Sequence, residues 1–339
     1  MNKNVSVQNN RGFTLVELMV AITLGLLISA AAIQVFTNGL VSTRIHQANA
    51  ELQDSGILGL EYLAKDIRLA NHGNLNNPAV NDQTLWGGIV LTAKADEDDV
   101  DTNLPLKGET SFISEGLLSH SLGAGDAVSS EANEWQGLTA VESTSGTTSS
   151  DQLTIQFIAP ENMVNCEGQN VKSGDYIIQR YFLRPMSNDK PTDLVLACDA
   201  NIPHATAISQ PSKITGFGGA GEIIIPRVDH LKFYLGTWEE VEVSGTKQKR
   251  LAYYSINQYK AKAKAARTAT APLEPPRIVS VKIAILVRSL DNTNNPHIAL
   301  DLPIQMLNEE LKPIDQKTKY ARVVYTTTVA LRNAMGEKI

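Results

Sequence analysis

Cysteine occurs only twice in 339 residues, which excludes a cysteine-rich scaffold and a four-cysteine zinc site. Basic charge is not in excess either. Thirty Lys and Arg stand against 36 Asp and Glu, a net charge of −6, so no phosphate-binding face and no nucleic-acid partner are indicated. Aromatic residues are scarce at 6% and charged residues at 19%. There is no P-loop, G-x-S-x-G or H-E-x-x-H motif, and the six histidines are scattered. No internal repeat occurs. These absences leave no catalytic set, metal centre or cofactor to expect. What is present is an apolar fraction of 42%, enough for a globular core.

The apolar residues are not evenly spread. Residues 1–12 are polar, with Lys3 and Arg11 and no acid, whereas residues 13–36 are almost wholly apolar. As a helix those 24 residues reach about 36 Å, enough for a bilayer core of about 30 Å. Basic residues before the run and none within it place the N-terminus in the cytoplasm and the body beyond the inner membrane, as a single-pass protein. Glu17 is the one acid in the run. At the bilayer centre an acid costs on the order of 2.5–3.5 kcal/mol, so it needs a partner. A cut between Gly12 and Phe13 would supply one, since the new Phe13 ammonium lies one helical turn away, on the same chain or a neighbouring copy.

The segment Arg11-Gly12-Phe13-Thr14-Leu15-Val16-Glu17-Leu18 resembles the class III signal of type IV pilins and type II secretion pseudopilins. The resemblance implies that residues 1–12 are a leader cut after Gly12 by a prepilin peptidase. It implies that Phe13 is N-methylated and that Glu17 guides docking into a growing filament. The competing reading is a secretory signal peptide cleaved at Ser29-Ala30-Ala31-Ala32. A charge within the run argues against it, as does a helical pattern that continues beyond Ala32.

That continuation covers residues 37–72. Ile45, Ala48, Leu52, Gly59, Leu63, Ile67 and Ala70 form one apolar stripe, with Arg44, Glu51, Lys65 and Arg68 on the wet faces. Asn71-His72-Gly73-Asn74 suits the helix end. Residues 14–71 are therefore expected as one rod of about 87 Å, leaving the membrane near Thr37-Asn38-Gly39. Many pilins have a helix-breaking proline where this chain has Gln34.

Residues 73–339 read as an exported, strand-rich body. Segments 153–157, 176–183, 194–198, 222–225, 231–235, 251–256, 278–288 and 322–332 carry period-two or continuous apolar patterns of strands. An α+β fold is expected, with the long helix packed on an antiparallel sheet in a pilin-like roll. Residues 94–150, with eleven acids against Lys94 and Lys107, are expected as an acidic Gly/Ser/Thr-rich surface insertion. Residues 257–276, with Lys260, Lys262, Lys264 and Arg267, are expected as a basic Ala/Pro-rich insertion forming an exposed helix or arm.

In an oxidising periplasm Cys166 and Cys198 are expected to form a disulfide, worth roughly 3–4 kcal/mol for the loop they close. Metal ligation with His204 is the weaker alternative. Gly216-Phe217-Gly218-Gly219-Ala220-Gly221 matches a dinucleotide fingerprint, but a strand follows it rather than a helix, so a turn is expected. Asp99-x-Asp101-x-Asn103 begins like a calcium loop, yet Leu104 and Thr110 stand where Gly and Glu are required.

The late segments Ile223 to Val228, Leu231-Lys232-Phe233, Ser280 to Arg288 and Tyr325 to Asn333 resemble the PilW-type minor pilins. That resemblance implies a subunit without enzyme activity that joins other minor and major pilins in the complex priming filament assembly, at the pilus tip. The prepilin peptidase and the assembly platform would be separate partners. A J-type pseudopilin of type II secretion, or a membrane-anchored periplasmic binding protein or enzyme, are the alternative functions.

Overall fold

The computed structural model describes residues 12–123, 128–131, 133–144, 146–187, 190–243, 246–270 and 273–336. The leader up to Arg11 lies outside them. Helix α1, Leu15–Gln53, runs through Gln34 without a break. One π turn, Asp54–Leu58, joins it to α2, Gly59–Ile67, so 53 residues form one rod of about 80 Å.

The rod has two unlike halves. From Gly12 to Leu40 every residue is exposed. Farther along, Ala48, Leu52, Gly56, Leu60, Leu63, Ala64 and Ile67 are buried. The buried face departs from the expected stripe: Gly56 and Leu60 take part and Gly59 is only half-buried. The π turn explains the difference. A wide turn absorbs one extra residue and rotates the downstream helix by about 100°, so the apolar face stays on the sheet. Packing there is close. A Cβ on Gly56 would meet the Tyr325 ring at 2.2 Å, and one on Gly59 would meet Ile225 Cδ1 at 2.4 Å.

The strands are β1 (Val141–Ser143), β2 (Leu153–Ile158), β3 (Met163–Val164), β4 (Asn170–Val171), β5 (Tyr176–Ser187), β6 (Lys190–Ala200), β7 (Glu222–Pro226), β8 (Val228–Val243), β9 (Thr246–Ser255), β10 (Arg277–Arg288), β11 (Ile304–Met306), β12 (Glu309–Pro313) and β13 (Arg322–Ala330); helix α3 (Ile256–Thr268) follows β9. Two antiparallel four-stranded sheets dominate, in the orders β13-β10-β8-β9 and β2-β5-β6-β7. A small sheet, β1-β12-β11, and the β3-β4 pair complete the body. All eight segments with strand patterns fall on strands, except that Ile256 already opens α3 and the last strand stops at Ala330, and the architecture is the expected α+β one. In register, Ile283 of β10 faces Phe233 on one side and Thr327 on the other. Leu52, Leu60, Leu63 and Ile67 of the rod share one core with Leu231, Phe233, Val281 and Ile283, and with Ile155, Ile177 and Leu196 of the second sheet.

Two expectations change. Residues 94–150 are not confined to the surface: Leu104, Leu106, Ile113 and Leu118 form a second core with Tyr176 and Ile178. Those two β5 residues alternate with Ile177 and Tyr181, so their face of the sheet would otherwise be bare. The acids Asp96, Glu97 and Asp98 remain exposed at the loop tip, with Asp99 half-buried. Helix α3 is likewise no exposed arm. Ile256, Tyr259 and Ala263 are buried, Lys262 pairs with Glu239 at 3.1 Å, and Arg267 pairs with Asp82.

Asp66 is the acid on the buried face of α2, accepting from Tyr181 Oη at 2.9 Å. Burial pushes its carboxyl up to about 6, against the opposing Tyr181 bond and Lys65. The native state therefore holds a proton there that the unfolded chain, near 3.8, has released. Stability from this site is full below pH 4 and is lost as pH rises through 6. Asp66→Asn keeps the neutral shape at every pH. It should match the wild type near pH 4 and exceed it by about 2 kcal/mol at pH 7, read as the difference in urea midpoints.

Candidate functional site: the amino end of the rod

Gly12, Phe13 and Thr14 precede the first helical turn in a non-helical stretch. Phe13 is 89% exposed, and a Cβ on Gly12 would meet nothing within 4 Å. Among the described residues nothing crowds the Gly12–Phe13 peptide bond. Thr14 is the N-cap, with extended backbone (φ −76°, ψ 151°). Its hydroxyl accepts from Glu17 N at 3.2 Å, and the Glu17 carboxylate accepts from Thr14 N at 3.0 Å and Thr14 Oγ1 at 2.9 Å. This reciprocal capping box satisfies donors that a helix start leaves open. Thr14 is thereby a partner for Glu17 that the sequence reading missed, although Thr-x-x-Glu ahead of an apolar run is its signature. With Gly12 still attached, the Phe13 nitrogen is an amide, so no ammonium faces Glu17 in this form of the chain.

From Leu18 to Thr43 the helix carries no charged side chain. Its exposed residues include Leu24, Leu26, Leu27, Ile28, Ile33 and Phe36. An 18-residue window with mean hydropathy 2.3, wholly outside the body, is long and apolar enough to cross a membrane. The structure brings Gly12, Phe13 and Glu17 within about one turn of each other.

The cysteines lie far along the chain from this site. Cys166 and Cys198 form a disulfide with Cα atoms 6.0 Å apart, tying the loop after β3 to β6 beside the rod at Leu58 and Tyr62. Cys198→Ala should lower stability by about 2–4 kcal/mol, measured as a fall in the urea midpoint that reductant also produces in the wild type.

The other candidate motifs resolve into structural roles. His204 Nδ1 sits 2.8 Å from Asp175 and takes no part with the cysteines. The glycine-rich turn wraps a buried ion pair: Gly218 N and Gly219 N each donate to the Asp199 carboxylate at 3.0 Å, and Asp199 holds Arg180 at 3.1 Å. Asn103 is fully buried. Its amide oxygen accepts from Leu91 N, and its amide nitrogen donates to Asn81 O and Thr84 O. Ser150 Oγ and Glu309 flank His230 at 3.2 and 3.3 Å, an order that resembles a hydrolase relay. Burial holds His230 below the usual imidazole range, and both Ser150 and His230 are closed to solvent. The cluster ties the small sheet to β8.

Comparison with known proteins adds two matches at opposite ends of the chain. Residues 7–33 match the prokaryotic N-terminal methylation motif, covering Gly12, Phe13 and Glu17. Residues 203–333 match Type IV Pilus-assembly protein W, a span that runs from before β7 through β13. Among solved structures, a type IV-like pilin, TTHA1219 from Thermus thermophilus, is similar over 84% of this chain and 97% of its own, at 10% identity and a TM-score of 0.36. No curated protein matches. The methylation motif lies over the exposed amino end of the rod and the pilus-assembly match over the sheet that carries its other end, and together they support a PilW-type minor pilin of a type IV pilus.

Proposed function

We propose that prepilin peptidase removes residues 1–12, that Phe13 is then N-methylated, and that Glu17 directs the subunit into a priming complex of minor pilins at the pilus tip. The observation that carries this reading is the conjunction at the amino end. An exposed Gly12–Phe13 bond precedes an uncharged, bilayer-length helix, and the run's one acid sits in its first turn. Cleavage frees the Phe13 nitrogen as a cation next to Thr14, whose main-chain N–H already holds the Glu17 carboxylate. A carboxylate placed there can pair with its own new amine or with that of a neighbour. The N-terminus faces the cytoplasm and the body the periplasm, because Lys3 and Arg11 precede the span. The pilin body is structural, and its partners are other minor and major pilins, the peptidase and the assembly platform.

Intact-mass measurement of the protein from cells with and without the peptidase tests the reading. The expected result is loss of residues 1–12 with one added methyl group, only when the peptidase is present. A mature N-terminus at Ala31 or Ala32, or an intact leader in both strains, overturns it.

A further inference from the structure

The far end of the rod opens onto a cavity that filament assembly leaves unassigned. It has a volume of about 340 Å³ and lies between the turn 72–77, Trp86 and the exposed pair Ser209 and Gln210. Along the helix, Ile67 stands about 46 Å from Phe36, so this end of the body is held well away from the membrane.

The lining is chemically narrow. It contains no Asp, Glu, Lys or Arg. Five carboxamides contribute to it: Asn74, Asn76, Asn77, Gln156 and Gln210. The side chains of Asn76, Asn77, Ser209 and Gln210 take no part in a hydrogen bond among the described residues. Their donors and acceptors are therefore available to a guest.

Trp86 forms one wall, and its backbone is held in an unusual state. Its φ is +61°, in the left-handed region that an aromatic side chain rarely adopts. A buried frame keeps it there. Trp86 N donates to Asn103 O at 2.9 Å, Gly87 N donates to Thr84 O at 2.7 Å, and Gln156 Nε2 donates to Gly87 O at 2.8 Å. Tyr176 meets the indole edge-on, with centroids 5.4 Å apart, and donates to Gln156 Oε1 at 2.7 Å. Strain maintained by so many fixed partners is characteristic of a functional position.

We propose that this cavity binds a neutral saccharide, with Trp86 as the stacking platform. A sugar ring presents C–H groups on its faces and hydroxyls around its rim. The electron-rich indole face accepts the C–H face. Carboxamides offer donor and acceptor together, which is what a hydroxyl needs. The lack of charge disfavours phosphates, nucleotides and acidic sugars, which would bury an unpaired charge. A half-open cavity of this size suits a mono- or disaccharide unit at the end of a longer chain.

The test uses the full-length protein in detergent on an array of glucose-, galactose- and N-acetylglucosamine-terminated oligosaccharides, with sialylated glycans and a proline-rich peptide as controls. Trp86→Asn removes the ring while keeping a residue that tolerates positive φ. The expected result is binding to at least one neutral series, with Kd raised at least tenfold by Trp86→Asn at an unchanged unfolding midpoint. Gln210→Ala, on an exposed side chain, should raise Kd at least threefold, and it decides the matter if Trp86→Asn unfolds. Binding to no neutral saccharide, binding insensitive to these changes, or binding confined to the sialylated or peptide controls overturns the proposal.

Discussion

A Glu17→Ala chain should enter the membrane as readily as the wild type and fail to enter the pilus. The body cannot feel the change, because the helix exposes every residue from Gly12 to Leu40 and its buried face begins at Ala48. Insertion should become easier, since an acid within a span carries a penalty on the order of 2.5–3.5 kcal/mol. Assembly is different. Lipid tails are as apolar as leucine, so two uncharged helices gain no hydrophobic energy by leaving lipid for each other. A charge pair between Glu17 and a processed amine then has large leverage. Leaving one partner of such a pair without its counterion costs about 3–5 kcal/mol, more than a hundredfold in a docking equilibrium. Glu17→Gln separates the two jobs of this side chain. It can still accept from Thr14 but carries no charge, so it should assemble as poorly as Glu17→Ala if pairing matters and normally if only the capping box does. Co-purification with partner pilins, membrane fractionation and a pilus count read these outcomes. Normal piliation by Glu17→Ala would remove Glu17 from the assembly mechanism.

Asp229→Ala should be the most damaging single change in the body. Asp229 lies fully buried on β8, with Arg288 Nε at 3.0 Å and Arg322 Nε at 2.7 Å. It is the anion between β8, β10 and β13. Arg288 has a second partner in Asp193 and lies over the Tyr320 ring at 4.4 Å. Among the described residues Arg322 pairs with Asp229 and has the ring face of Tyr320 beside it, with Asp315 acting on it only as a more distant charge. Removing the carboxylate leaves a buried guanidinium without an anion, a loss of about 3–5 kcal/mol by urea unfolding. Pairing Asp229→Leu with Arg322→Leu should recover much of it, because the lone charge then goes as well. If the double variant is no better than the single one, lost packing rather than charge is the cause.

The rod and the long strands were legible because their signals are local. An apolar stripe and an alternating run need only neighbouring residues, and the stretch of the methylation motif from Gly12 to Glu17 needs only six. The helix was expected to run to Asn71 but ends at Ile67, and turns carry the chain on to Gly73, with Asn71 in a left-handed backbone. What escaped was set by partners distant in sequence. Arg267 was expected on an exposed helix or arm, yet its anion, Asp82, lies 185 positions earlier. The glycine-rich turn was recognised as a turn, but its purpose depends on Asp199 and Arg180, which no local pattern joins. The burial of Leu104, Leu106, Ile113 and Leu118 followed from the bare second face of β5, visible only once the sheet exists. Trp86 carried no signal, because its backbone state is imposed by Asn103 and Gln156.

The π turn at Asp54–Leu58 bears on how the length of this chain can vary. Between Leu15 and Leu40 no side chain is buried in the body, so a residue gained or lost there changes only the reach of the stem. Between Ala48 and Ile67 the helix is keyed to the sheet, with Gly56 against Tyr325 and Gly59 against Ile225. Deleting one residue from the wide turn would restore α geometry and leave Leu60, Leu63 and Ile67 facing the sheet, whereas a deletion elsewhere in this stretch would turn the residues beyond it by about 100°. Insertions and deletions among related chains should therefore gather in the stem and in surface loops. Between Ala48 and Ile67 they should be absent, apart from the loss of one residue at the wide turn itself, or come as compensated pairs that restore the same angular phase.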